Sequence, residues 1–292
     1  MMDRDVTFSA LALTLCGLLT WCFAALSPRS SSDASGRRME RVAWWRLWMP
    51  LAPAALALAL LAGWAWQEPA RTDEILRPLA LLTSLPVALV WMRAAWRAFK
   101  AVRVAPNIAD RTDAAVAVGI WRPRVIVGAD FRKATDGPAL EAAIAHERAH
   151  VRHRDPLRLL LAQIATDVQW PVRAAERRFV TWATALELAR DEEARQGGVR
   201  GEDLASAILS ALRLRRGRAK VSAAAYLTGQ ERALLLRVRR LLAPLPASSD
   251  VERESARRWG LALALVALLT AGATVGLTHG DALVRALPIV GS

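Results

Sequence analysis

Four apolar stretches set the limits on what this chain can fold into. They run from Val6 to Leu26, from about Leu47 to Trp66, from about Ile75 to Trp96 and from Trp259 to Leu277. Each is near the roughly 20 residues that an α-helix needs to cross the hydrocarbon of a bilayer. The third is the weakest: Arg77 and Arg93 lie near its ends and have to snorkel, and Pro86 kinks it. The chain is 54% hydrophobic yet carries a formal charge of +13. Membrane proteins combine the two by alternating apolar spans with basic flanks. The basic residues cluster beside the spans rather than on one module, which argues against direct nucleic-acid binding. Nine of the twelve tryptophans, Trp21, Trp64, Trp66 and Trp96 among them, fall at or near span ends, as in an interfacial belt.

The leader Met1 to Asp5 is net acidic and the run behind it is long, so the first stretch reads as a retained anchor rather than a cleaved signal. Cys16 and Cys22 both lie within it and read as small buried side chains, with no disulfide framework. Loop charges set the orientation. Segment 27–46 carries five arginines, segment 67–74 one arginine against three acids, and Arg97, Lys100 and Arg103 follow the third stretch. Arg253, Arg257 and Arg258 precede the fourth stretch. The positive-inside rule then puts both termini outside and residues 98–256 in the cytoplasm, at a plasma (inner) membrane crossed several times. The expected organisation is three spans in 1–98, a cytoplasmic region in 99–256, and a fourth span with a short tail in 257–292.

The cytoplasmic region opens with a hairpin pattern: Ala115–Ile120 and Val125–Val127 are β-prone and Trp121–Arg124 reads as the turn. Its edge offers either plain scaffold or a strand for an extended peptide. Asp136-Gly137-Pro138 signals a helix start, and that helix runs through Ala139–His153 and stops before Pro156. Further helices are expected over 157–169, 173–195, 201–215 and 228–242 from three- and four-residue apolar spacing. The fold class is therefore mainly α, with about four transmembrane helices and a small β-hairpin.

His146-Glu147-Arg148-Ala149-His150 is an H-E-x-x-H motif on the predicted helix. Residues four apart share a face, so both imidazoles can reach one metal ion while Glu147 sits beside it as a general base. A catalytic zinc site needs three protein ligands and an open position. Pro156 occupies the place where one subclass carries a third histidine, so the third ligand should be a later carboxylate. Glu187 and Asp191, four apart, fit: Glu187 as ligand, Asp191 as hydrogen-bond acceptor for a ligating imidazole. With Glu192 and Glu193 beside them they fit a solvated acidic face equally well, and spacing alone does not choose.

His146-Glu-Arg-Ala-His-Val-Arg-His-Arg-Asp-Pro156, then Gln169-Trp-Pro171, then Glu187-x-x-x-Asp191 resemble the BlaR/MecR antirepressor metallopeptidases. Gly119-Ile-Trp-Arg-Pro-Arg-Val-Ile126 is similar to that family's segment before the metal helix. The likeness spans about residues 100–245 together with the layout of spans. It implies a gluzincin-like region binding Zn2+ through His146, His150 and Glu187, with Glu147 as base and Asp191 behind the ligands. It also implies a protein substrate, a cytoplasmic repressor by analogy; a homodimer is compatible with it. Two departures stand out. Arg190 replaces a frequent cysteine, with little expected bearing on the metal. Fifteen residues follow Leu277, too few for a penicillin-binding sensor, so β-lactam sensing is not carried over. A membrane quality-control peptidase of the HtpX or CAAX-processing kind, and a non-catalytic transducer with structural zinc, are the alternatives. His153, Arg154 and Tyr226 are weaker candidates for oxyanion contacts, and Arg213–Lys220 for lipid contact.

Overall fold

The structure, a computed structural model, describes residues 2–26, 35–67, 77–104, 114–218, 227–245, 266–279 and Ala282. Tyr226, most of the fourth stretch's approach and the 67–74 loop beyond Gln67 lie outside these residues. The described chain is mainly helical. In order it has α1 (Met2–Leu26), α2 (Gly36–Trp48), a 3-10 turn (Met49–Leu51), α3 (Ala52–Gln67), α4 (Arg77–Val104), β1 (Ala115–Val118) and β2 (Arg124–Val127). Then come α5 (Ala129–Ala134), α6 (Gly137–Arg152), α7 (Asp155–Asp167), α8 (Arg173–Gln196), α9 (Gly201–Arg218) and α10 (Leu227–Leu242). An apolar helix, α11 (Val266–His279), follows.

Among the described residues one helix, Gly36–Trp64, is long and apolar enough to cross a membrane. Ala12–Ala25 and Val266–His279 are shorter apolar helices. The fold therefore does not establish the four spans expected from sequence. α4 is long but carries Pro86 and, along its second half, Arg93, Arg97, Lys100 and Arg103. α3 and α11 meet backbone to backbone: a Cβ at Gly63 would lie 2.1 Å from the Ala273 carbonyl oxygen, and one at Gly276 2.0 Å from that of Leu60. Only glycine permits so close a crossing.

The segment 27–46, read as a basic loop, is helical from Gly36. Gly36, Glu40, Ala43 and Leu47 are buried at helical spacing, and this face of α2 packs along α8. The arginines occupy the other faces, so their number hid the period. Ala43 and Leu47 join Ala162, Ala165, Trp182 and Leu186 in a core shared by α2, α7 and α8, with Trp44 and Trp48 packed on it. Burying a side chain such as Leu47 or Leu186 contributes roughly 1.5–3 kcal/mol.

The helix starts follow the local chemistry. The Asp136 carboxylate accepts the Ala139 N–H at 2.8 Å and Pro138 occupies the first turn, so α6 begins as expected. α6 stops at Arg152. Arg154 then takes a left-handed conformation, φ 52°, which costs roughly 1–2 kcal/mol for a residue with a Cβ. That sharp reversal starts α7 at once, with Pro156 in its first turn. β1 and β2 pair antiparallel, Ala115 opposite Val127 and Val118 opposite Arg124. Gly119, φ 107°, makes the turn: a Cβ there would meet the Arg122 carbonyl oxygen at 2.8 Å. Phe131 of α5, unforeseen from sequence, is buried with Ala115, Ala139 and Ala207 beneath the hairpin.

Candidate metal centre

Successive turns of α6 present His146 and His150 on one buried face, their Nε2 atoms 3.1 Å apart. α8 crosses them and brings Glu187, whose Oε2 is 3.4 Å from His146 Nε2 and Oε1 3.7 Å from His150 Nε2. Four ligands at roughly 2.0–2.1 Å in a tetrahedron stand about 3.3 Å apart; one donor atom from each of the three residues lies within 4.8 Å of the others, close enough to converge on a single ion. Glu187 is partly exposed while both histidines are buried, which leaves one side of the cluster reachable. The residues fit a small divalent cation.

The imidazoles are fixed from behind. His146 Nδ1 lies 2.9 Å from Asp191 Oδ1, and His150 Nδ1 bonds Asp155 Oδ2 at 2.9 Å. Each ring thus turns its Nε2 toward the cluster, the arrangement that fixes a metal-binding tautomer. Asp191 stands where the sequence suggested. Asp155 is an addition: it is fully buried, and Arg190 donates to it through Nε at 2.5 Å and Nη2 at 2.9 Å. Arg190, expected to matter little, therefore holds the carboxylate that holds His150. The signal lay in the Asp155-Pro156 pair that follows the motif after four residues, but the turn that folds Asp155 back depends on the left-handed Arg154.

Arg237 of α10 is the second addition. Its Nη1 is 2.8 Å from Glu187 Oε2, and its Nε and Nη2 both donate to Asp191 at 2.9 Å. Nothing local marks one arginine of Leu234-Leu-Leu-Arg-Val-Arg-Arg240 as special, and it lies fifty residues beyond Glu187. The solvated-face alternative for the acids does not hold. Glu192 is buried and accepts the Gly36 N–H at 2.7 Å, and Glu193 pairs with Arg152 and His153, each at 2.7 Å. His153 and Arg154 are exposed in the turn after α6, and His153 is committed to Glu193 rather than to the cluster.

Glu147 follows the first histidine and is partly buried. Its Oε2 accepts the N–H of Ala117 at 2.7 Å, from the edge of β1 that β2 does not cover. Burial pushes its carboxyl above the usual range, only in part offset by the histidines. Burial also pushes Glu187 and Asp191 up, but Arg237, then the imidazoles, more than reverse this and hold both below the usual range. For His146, burial favours the neutral ring, yet the Asp191 carboxylate outweighs it and raises the pKa to about 10. A metal ion at the ring nitrogen has to displace that proton, so metal binding here is coupled to proton release.

None of the curated proteins and none of the solved structures compared with the chain matches it. The family model described as BlaR1 peptidase M56 matches residues 29–241. That stretch begins just before α2 and ends within α10, and so takes in all the residues gathered around His146 and His150. The chain belongs to the BlaR1 peptidase M56 family, a family of peptidases.

Proposed function

We propose that the chain is a membrane-embedded zinc endopeptidase that cleaves a cytoplasmic protein, a transcriptional repressor in a signalling pathway. The carrying observation is the convergence of His146, His150 and Glu187, with each imidazole backed by its own carboxylate. Two nitrogens and one oxygen close enough to converge on a single ion favour zinc over the harder cations, which prefer all-oxygen shells. When bound, zinc would polarise the scissile carbonyl and bring the pKa of a water to about 7. Glu147, whose Oε2 accepts the Ala117 N–H, is the carboxylate placed to act as general base toward the attacking water and as proton donor to the leaving amine. The uncovered edge of β1 beside Glu147 can pair with an extended substrate.

The packing supports the topology read from charge. Arg178 of α8 donates to the carbonyl of Ala24 at the end of α1 at 2.9 Å. Glu192 takes the first N–H of α2, and Asp167 of α7 pairs with Arg93 and Arg97 of α4. The end of α1, the start of α2 and the second half of α4 thus gather on the side of the metal centre, as alternating spans require. That side carries the arginine excess and reads as cytoplasmic.

The test is proteolysis by the full chain in detergent, with zinc content measured alongside. A chelator should stop cleavage and zinc restore it. Glu147→Gln should keep its zinc and cleave at least about 100-fold more slowly, the usual lower bound for losing a general base. Normal cleavage by that variant overturns the mechanism. Zinc bound tightly with no cleavage by the unaltered chain indicates a structural role instead. Proteins that accumulate in cells carrying Glu147→Gln separate a repressor substrate from quality-control clients.

A further inference from the structure

Glu40 belongs to α2, one end of the long apolar helix Gly36–Trp64. It is buried and bonds the Arg158 guanidinium of α7 through Nη2, while Trp182 Nε1 approaches the same Glu40 oxygen at 3.4 Å. The other arm of Arg158, Nη1, donates to Asp155 Oδ1 at 3.0 Å. Asp155 Oδ2 in turn holds His150 Nδ1 at 2.9 Å. Trp44, one turn beyond Glu40, lies under the guanidinium at 4.9 Å, and Trp182 flanks it at 5.8 Å. We infer that Glu40 is a positioning residue for the metal centre, acting on His150 through Arg158 and Asp155.

The chemistry explains why a glutamate is needed there. The Arg158 guanidinium, partly withdrawn from water between Trp44 and Trp182, has five N–H donors in a fixed plane, and an arm turned inward without an acceptor is costly. With Glu40 taking Nη2, the plane is fixed and Nη1 is directed at Asp155. Without Glu40, the guanidinium can turn both arms onto Asp155, which already accepts from Arg190 and His150. The Asp155–His150 bond is then the one to lengthen, and the ring loses its aim. Arg190 alone does not replace this, because it reaches Asp155 from α8 and leaves Arg158 free to compete.

This inference rests on the metal-centre reading, and the experiment separates the two. The probe is Co2+ bound to the full chain in detergent, read by its ligand-field spectrum and by competition with a chelator of known affinity. The unaltered chain should bind one equivalent, and His146→Ala should abolish the tetrahedral spectrum. If it does not, the metal centre itself is wrong. Glu40→Gln should weaken Co2+ about 10-fold, near the lower bound for losing an outer-shell partner, and shift the ligand-field bands. Asp155→Asn should do the same or more, and Glu40→Gln added to it should cost nothing further. If Glu40→Gln does not yield folded protein, Glu40→Asp takes its place, with a smaller loss and the same non-additivity expected. Unchanged affinity and spectrum in the Glu40 variant, or full additivity with Asp155→Asn, overturns the proposal.

Discussion

Asp155 concentrates the electrostatics of the site in one buried side chain. Burial alone would push its carboxyl up, but the His150 and Arg190 hydrogen bonds more than reverse this and hold it far below the ordinary aspartate value. A folded pKa below the unfolded one means stability that is complete above the unfolded value of about 3.9 and is lost as pH falls through the folded one. Thermal unfolding should therefore show Asp155→Asn costing most at neutral pH and progressively less below pH about 4, where the unfolded chain takes up a proton that the folded carboxylate does not. Arg237 makes the opposite case, a cation against two acids. Arg237→Met strands the Glu187 and Asp191 charges, and breaking a partly buried ion pair costs up to about 3–5 kcal/mol. Zinc should recover part of that loss, so the rise in unfolding temperature on adding zinc should be larger in the variant than in the unaltered chain. An equal rise would show that Arg237 does not share charge with the metal ligands. At this scale four-residue spacing marked His146 and His150 as candidates, whereas Glu187 and Asp191 stood out through the family resemblance, since spacing alone left them equally a solvated acidic face. The sequence concealed Asp155 and Arg237, because a left-handed turn and a helix pairing between distant segments bring them in.

Among the elements, α6, α7, α8 and the hairpin lie close to where spacing and punctuation put them. Their signals are local: Asp136 and Pro138 to start, apolar residues three and four apart, and the turn read at Trp121–Arg124, which in the structure opens earlier, at Gly119, and leaves Arg124 in β2. α2 escaped because its buried stripe includes Gly36 and Glu40, neither apolar. Gly36 brings α2 against the backbone of α8, where a Cβ would stand 2.8 Å from the Ala189 nitrogen and 2.9 Å from the Leu188 oxygen. Backbone atoms give way less easily than side chains, so Gly36→Ala should force the helices apart, break the Gly36 N–H bond to Glu192 and lower stability by about 1–3 kcal/mol. Denaturant unfolding of the detergent-solubilised chain measures this. A change within about 0.5 kcal/mol would mean that α2 is only loosely seated.

For the molecule as a whole, the core joins α2 to α7 and α8 across the boundary expected near residue 99. Cutting at residue 99 would remove Glu40, Ala43 and Leu47 from the cluster around Trp182 and expose that tryptophan's face to water. A fragment covering 99–256 should therefore fail to bind one equivalent of Co2+ with tetrahedral character, whereas the full chain in detergent succeeds. A fragment that binds as well as the full chain would show that α2 is dispensable. α2 runs through the Met49–Leu51 turn into α3 as one rod, so the apolar helix and the packing behind His150 are one continuous element. On the proposed reading, a tilt of that rod in a bilayer is also a tilt of the wall against which His150 is braced, with no slack between them to absorb it.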